Sequence, residues 1–395
     1  MFSPCQITAS TLTTCLGHGR AANWQALQAG QSGLAPCAFE TVQLATWIGE
    51  VAGVDAVTLA EPLARYDCRN NRLTQLGLLG DGFAAAVLAA RERYGPERVG
   101  VFLGTSTAGI LQTELAYRQR DPESGALPAE FNYRDTHNSF SLAAFTRDYF
   151  ALSGPALAIS TACSSSAKVF AAAARQLAVG TIDAAVVGGV DSLCLTTLYG
   201  FASLQLTSAQ PCQPYDAARN GISIGEAAAF ALLERPSAGN GEGVRLIGVG
   251  ESSDAYHMSA PHPEGRGARQ AMLAALAAAG LPPAAIDYIN LHGTATPAND
   301  AAEGCAVAAV FGPHTPCSST KGATGHTLGA AGAVEAVICA MALESSFLPG
   351  SPGTQTLDPA IALNYLRHGQ PAAARTVLSN SFGFGGSNCS LILAV

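Results

Sequence analysis

The sequence predicts an α/β layered architecture, and three observations carry that prediction. Short β-branched runs bounded by Gly, Pro or Ser alternate with Ala-rich stretches of helical period. Only 13% of the 395 residues are charged while 48% are hydrophobic. Glycine occurs 42 times, which suits helices packed closely on buried sheets. A chain of this kind buries a sizeable core and is not disordered.

In chain order the strand-like runs are 99–103, 156–159, 184–187, 230–233, 286–291 and 390–395. Helical patterns fall at 80–94, 165–178, 268–279, 301–311 and 330–343. Alternation of the two gives the layered α/β class. The segment PSAGNGEG at 236–243 reads as a flexible connector dividing the chain into halves, 1–237 and 243–395. No short repeat is present, which excludes a solenoid. The apolar stretch 328–343 carries Glu335 and is too short to span a bilayer, so a buried helix is expected.

Composition also narrows function. A net charge of −8 and a pI near 5.5 leave no dominant basic face, which argues against nucleic acid. Eleven cysteines without a CxxC pair fit a reducing cytoplasm. The first twenty residues have neither a basic start nor a sustained apolar core, so no targeting peptide and no membrane anchor is expected.

Four stretches carry the chemistry. In STACSSSAKVF (160–170) a strand runs into small residues, a cysteine and a long helix. Cys163 at that turn would feel the positive end of the helix dipole, which lowers a thiol pKa and favours thiolate. An isolated cysteine is more often a core residue; the surrounding motif reverses that expectation. NLHGTATPAND (290–300) delivers His292 from a strand into a Gly/Thr loop, and SSTKGATGHTLGAAG (318–332) places Lys321 and His326 in a glycine-rich loop before a helix. Taken singly, each histidine also fits a hydrogen-bonded structural role. The second loop could cradle a phosphate, although it lacks P-loop spacing. In LSNSFGFGGSN (378–388) two phenylalanines alternate with glycines before the terminal strand. Such a turn is either a core β-turn or a source of backbone N–H groups for an oxyanion.

In this order and at these intervals, the four motifs resemble the elongating β-ketoacyl carrier-protein synthases. The resemblance covers nearly the whole chain, including ARNGISIGEAAA (218–229) and GGVDS (188–192). It implies a thiolase-like five-layered αβαβα fold of two related halves, the first carrying the cysteine and the second the two histidines. It also implies a homodimer, or a heterodimer with a related ketosynthase-like subunit. The function implied is decarboxylative Claisen condensation of an acyl thioester with malonyl-carrier protein. Matched by motif, Cys163 is the nucleophile, with His292 and His326 as the paired histidines. Lys321 and Glu335 match the supporting pair. Phe384 matches a gating residue whose backbone N–H joins that of Cys163 in the oxyanion hole, and Thr294 and Thr296 match the hydroxyls that hold the pantetheine arm. Substrates arrive on the phosphopantetheine of acyl carrier protein, and no metal or redox cofactor is expected.

The chain departs from the family pattern at GTSTAG (104–109), at Gln213 where arginine is usual, and at Ala298 where leucine is common. TACSSS resembles polyketide ketosynthases more than fatty-acid enzymes, which points to a secondary-metabolite or polyene pathway. The rival readings are a non-elongating chain-length-factor-like subunit and a Cys-His acyl hydrolase. An acidic carrier needs local positive charge, and RYDCRNNR supplies Arg65, Arg69 and Arg72. On one helix these would share a face.

Overall fold

The computed structural model describes residues 2–236 and 243–395, so 237–242 of the expected connector lie outside the described residues. Eleven strands form one continuous path: β1 (Cys5–Thr14), β2 (Val99–Gly104), β3 (Ala156–Ile159), β4 (Ala184–Asp191), β5 (Ala227–Glu234), β6 (Arg245–Ser253), β7 (Tyr288–Asn290), β8 (Pro316–Ser318), β9 (Asn364–Tyr365), β10 (Thr376–Gly383) and β11 (Ser387–Ala394). Their order across the sheet is β9-β8-β7-β10-β11-β6-β1-β5-β4-β2-β3. The two halves meet where β1 pairs with β6, Cys5 opposite Leu246.

Each half repeats one topology. In β1–β5 the first strand pairs antiparallel with the fifth, the fifth antiparallel with the fourth, and then the fourth, second and third run parallel. In β6, β7, β8, β10 and β11 the same pattern recurs, with β9 added at the edge. Parallel strands need faces covered on both sides. Helices α1 (Arg69–Leu78), α2 (Phe83–Tyr94) and α3 (Ser141–Tyr149) cover the outer face of the first half. α4 (Ser165–Ala178) packs against the first half's strands, while α5 (Arg266–Ala279) and α6 (Pro297–Phe311) cover the outside of the second. α7 (Ala331–Ser345) packs with α4 between the two sheet halves. The result is the five-layered αβαβα arrangement of two related halves. Residues 328–345 are 89% buried, as befits the core helix that the sequence predicts.

The longest expected runs correspond to elements, and the differences have local causes. The helix expected from residue 80 begins at Phe83, because Asp81 and Gly82 hold left-handed φ of 53° and 70°. β1 is rich in Thr and Ser (CQITASTLTT), yet it is a central strand with Leu12 and Thr11 fully buried. β6 and β10 also escape the sequence reading, since Gly and Ser interrupt their apolar runs. The stretch at 378–388 is mostly strand, with the turn confined to 384–386.

The expected arginine face does not form. Arg65 lies in a short 3₁₀ turn outside α1, and Arg69 is only 4% exposed. The Arg69 guanidinium donates to both oxygens of Glu226 at 2.9 and 2.6 Å and also to Asp55 and Glu50. Glu226 is fully buried and accepts the Val51 and Leu193 amides, so it needs a cation inside the fold. Arg69 meets that need and is unavailable to a partner. Arg65 pairs with Asp148, and Arg72 with Asp67; both keep part of their side chains in solvent. Removing one member of a buried pair leaves an uncompensated charge. Arg69→Ala should therefore destabilise the chain by about 3–5 kcal/mol in denaturant melts. Arg72→Ala should stay within about 1 kcal/mol of the parent, and equal effects would show that the Glu226 pair is not the determinant.

Candidate active site

Strand ends and the loops after them deliver the cysteine, both histidines and Lys321, while Glu335 projects from α7. β3 leads to Cys163 through Ala162, whose φ of +52° is unusual for a residue with a Cβ. Serines fix that bend. Ser165 Oγ accepts the Thr161 amide at 2.9 Å, Ser164 Oγ donates to the Thr161 carbonyl at 2.9 Å, and Ser166 Oγ accepts the Ala333 amide at 2.9 Å. The run of serines thus holds the turn and ties the start of α4 to α7. Gly383 packs so tightly that a Cβ there would lie 2.8 Å from the Thr161 carbonyl and 3.3 Å from the Cys163 nitrogen. This close approach brings the Phe384 backbone amide to the side of the Cys163 sulfur, where it pulls the thiol pKa down.

β7 delivers His292, and the loop after β8 delivers Lys321 and His326. His326 Nε2 lies 3.0 Å from Cys163 Sγ, and the two imidazole centroids are 5.3 Å apart at 84°. Ligand-capable atoms of Cys163, His292 and His326 all lie within 4.8 Å of one another. Lys321 Nζ contacts His292 Nδ1 at 3.4 Å and also donates to the His292 carbonyl and Glu335; Lys321 and Glu335 are each only 2% exposed. A Cys-His-His donor set could in principle hold zinc, but the Lys321 ammonium behind His292 opposes a dication there.

Protonation follows from these partners. Burial, followed by the Lys321 charge, holds both histidines well below the ordinary imidazole pKa, so both are neutral. The Leu328 amide donates to His326 Nδ1 at 3.3 Å. An amide can only donate, so the ring proton of His326 sits on Nε2, facing Cys163. An ammonium likewise can only donate, which puts the His292 proton on Nε2. Both rings therefore present an N–H donor into the site. Cys163 departs from expectation: burial pushes its thiol up to about 11, against the opposing pull of Lys321 and the Phe384 amide. Desolvation is the largest cause, because Cys163 is only 5% exposed. Glu335 is pushed up by burial to about 7.

Cys163 and the two histidines open onto a cavity of about 220 Å³ lined by Phe201, Leu206, Ile222 and Phe384 on its apolar side. The Phe384 and Phe201 rings stand 5.5 Å apart. Thr294 and Thr296 lie on the same cavity, their hydroxyls 3.0 Å apart. Thr296 also caps α6, with Pro297 in its first turn. Arg65, Arg69 and Arg72 do not line this cavity.

Three buried carboxylates escape the sequence reading. Glu303 accepts the His292 and Gly293 amides at 2.8 Å each, the Tyr215 hydroxyl at 3.0 Å and the Asn380 amide at 3.1 Å. Asp300, one turn earlier on α6, accepts the Tyr215 amide at 2.7 Å and the Ala295 amide at 3.2 Å. Asp191 ends β4 beside the 105–107 loop. The available signal was an acidic residue inside an otherwise apolar helix or strand.

The descriptions "Beta-ketoacyl synthase, N-terminal domain" and "Beta-ketoacyl synthase, C-terminal domain" match residues 79–238 and 244–355. The chain is 32% identical to a 3-oxoacyl-[acyl-carrier-protein] synthase 2 of Coxiella burnetii, over 98% of this chain and 97% of that protein. It is also 32% identical to a protein of the same name from Vibrio cholerae, with the same coverage. Among solved structures, a Xenorhabdus doucetiae ketosynthase in complex with its chain length factor superposes with a TM-score of 0.91 at 38% identity, covering 100% of this chain and 98% of that one. A β-ketoacyl synthase from Burkholderia phymatum superposes with a TM-score of 0.86 at 29% identity, covering 100% and 99%.

Because the Cys163 thiol is pushed up to about 11, its thiolate fraction grows across the alkaline range. Alkylation of Cys163 by a small neutral electrophile should accelerate about tenfold per pH unit from neutrality upward. Peptide mass mapping reads the site, and a rate that levels off near neutrality would contradict the burial argument.

Proposed function

The chain belongs to the β-ketoacyl synthase family, and from that membership we propose how its residues divide the work. It is a 3-oxoacyl-[acyl-carrier-protein] synthase, an acyltransferase of fatty-acid or polyketide biosynthesis. The observation that carries the assignment of roles is the neutral pair of Nε2–H donors beside a buried cysteine.

In the first half-reaction the Cys163 sulfur attacks the acyl thioester carbonyl, and the Cys163 and Phe384 amides receive the oxyanion. The carbon–sulfur bond to the carrier breaks, and the proton lost by Cys163 is balanced by the one gained by the carrier thiol. A well-placed oxyanion donor contributes roughly 3 kcal/mol. In the second, Thr294 and Thr296 hold the pantetheine arm of malonyl-carrier. Its carboxylate leaves as carbon dioxide, and the electron pair moves to the thioester oxygen as an enolate. His292 and His326 donate their Nε2 protons to that oxygen as hydrogen bonds. The carbanion then attacks the Cys163 thioester and expels the thiolate, giving a 3-oxoacyl product two carbons longer. Lys321 holds His292, and Glu335 balances Lys321. No step calls for a metal or redox cofactor.

Three further proposals concern context. The TACSSS motif and the likeness to a ketosynthase found with a chain length factor support a polyketide-type pathway. The sheet ends at β3, where Leu157 is 43% exposed, which supports pairing with a second copy or a related subunit in the cytoplasm. The carrier protein docks on the partly exposed arginines of the 65–72 cluster, Arg65 and Arg72.

Incubation with acyl carriers of graded length and malonyl-carrier, followed by product masses, tests the function. Cys163→Ala should abolish condensation and the acyl mass on the protein. His292→Ala and His326→Ala should cut malonyl decarboxylation far more than self-acylation, since enolate donors act only in the second half-reaction. Equal losses in both halves would instead favour a Cys-His base pair, and release of free fatty acid without malonyl-dependent elongation would favour a hydrolase. Arg65→Glu should raise the apparent KM for carrier protein severalfold and leave a small acyl-pantetheine thioester unaffected. Equal change with both substrates would remove Arg65 from docking.

A further inference from the structure

Asp191 is fully buried at the end of β4, where three loops meet. Its Oδ1 accepts the Thr105 and Thr107 hydroxyls at 2.7 and 2.9 Å and the Ser106 and Thr107 amides at 2.8 and 2.9 Å. Its Oδ2 accepts the Ser106 hydroxyl and the Gly329 amide, the latter at 2.5 Å. Hydrogen bonds to a carboxylate are the strong kind. One side chain thus joins the 105–107 loop and β4 of the first half to a turn of the second.

That turn bears directly on His326. Gly329 fits only because it lacks a Cβ, which would lie 2.8 Å from both Asp191 Oδ2 and the Ser106 nitrogen. Its neighbour Leu328 adopts φ +52°, a left-handed conformation that is strained for a residue with a side chain and persists only when the surroundings impose it. In that conformation the Leu328 amide reaches His326 Nδ1 at 3.3 Å.

We propose that Asp191 is a positioning residue for the condensation step: by anchoring Gly329 it holds Leu328 left-handed and so keeps His326 in the Nε2–H tautomer that donates into the site. This inference rests on the reading of His326 as an enolate donor. The opposite tautomer would aim an Nε2 lone pair at the enolate oxygen and set two N–H groups against each other at Nδ1. The first half-reaction draws its oxyanion donors from backbone amides, which the change leaves in place. Its links to the clamp are the His326 Nε2 contact with the Cys163 sulfur and the Asp191 charge, so it should lose less than the condensation step.

Asp191→Asn keeps the side chain's shape but presents an NH₂ group to one of the two donor clusters. Two-bond ¹H–¹⁵N spectra of the full chain labelled with ¹⁵N-histidine report each ring's tautomer, with His326→Asn identifying the His326 signal. In the parent chain His326 should give the Nε2–H pattern. In Asp191→Asn the pattern should shift toward Nδ1–H, with malonyl decarboxylation down about tenfold or more and Cys163 self-acylation within about twofold. If Asp191→Asn does not fold, Ser106→Ala removes only the hydroxyl that bridges Asp191 and Gly329. It should shift the tautomer in the same direction with a severalfold loss. A folded variant that keeps the Nε2–H pattern, or loses both half-reactions equally, overturns the proposal. A shifted tautomer with full decarboxylation would keep the clamp but remove the donor role of His326 on which it rests.

Discussion

Much of the site depends on one buried ammonium. Lys321 reaches His292 through both ring and carbonyl, and Glu335 is its counter-charge. A fixed positive charge a few ångströms from two imidazoles in a dry site disfavours their protonation. Burial is the larger cause and this charge the second, and together they keep both rings as neutral hydrogen-bond donors instead of acids. The same charge works against the desolvation of Cys163. Without Lys321, His292 Nδ1 would lose the partner that fixes its tautomer.

The repeated topology explains why this cluster can exist. Parallel strands in each half release their loops at the same edge, and ligand sites on α/β sheets form outside the carboxyl ends of strands. Cys163 follows the third strand of the first half, while Lys321 and His326 follow the third strand of the second. His292 follows the second strand of its half, and the Asp191-bound loop 105–107 follows the second strand of the other. One half has thus specialised this loop for chemistry and the other for support. Pairing of β1 with β6 makes the halves one body, so the site is assembled by the sheet rather than by a hinge.

Much of this was legible in the sequence. Runs such as 156–159 and 165–178 announce themselves because β-branched or Ala-rich periods end in Gly or Ser, and the observed elements share those limits. Cys163, His292 and His326 could be read because each sits in a motif of small residues at a strand end. β1 could not, since its burial comes from neighbours on both sides and its Thr and Ser satisfy the pattern of a polar strand equally well. Arg69 misled for a related reason. Its partner Glu226 lies 157 residues away, and nothing local distinguishes an arginine aimed at a buried carboxylate from one aimed at solvent. The helix-start argument for Cys163 failed quantitatively, because a dipole can be inferred from sequence but the depth of burial cannot.

The depth of Cys163 has a practical reach beyond turnover. The chain carries eleven free thiols, of which Cys305 is exposed and Cys15 and Cys37 are half-buried. Exposure favours Cys305 over the buried Cys163, so small polar reagents and oxidants meet Cys305 first. What singles out Cys163 is its corridor, walled by Phe201, Leu206, Ile222 and Phe384. Selective covalent probes of this protein would therefore gain their discrimination from an apolar tail that fits the corridor, with the reactive head kept mild enough to spare the thiols at the surface.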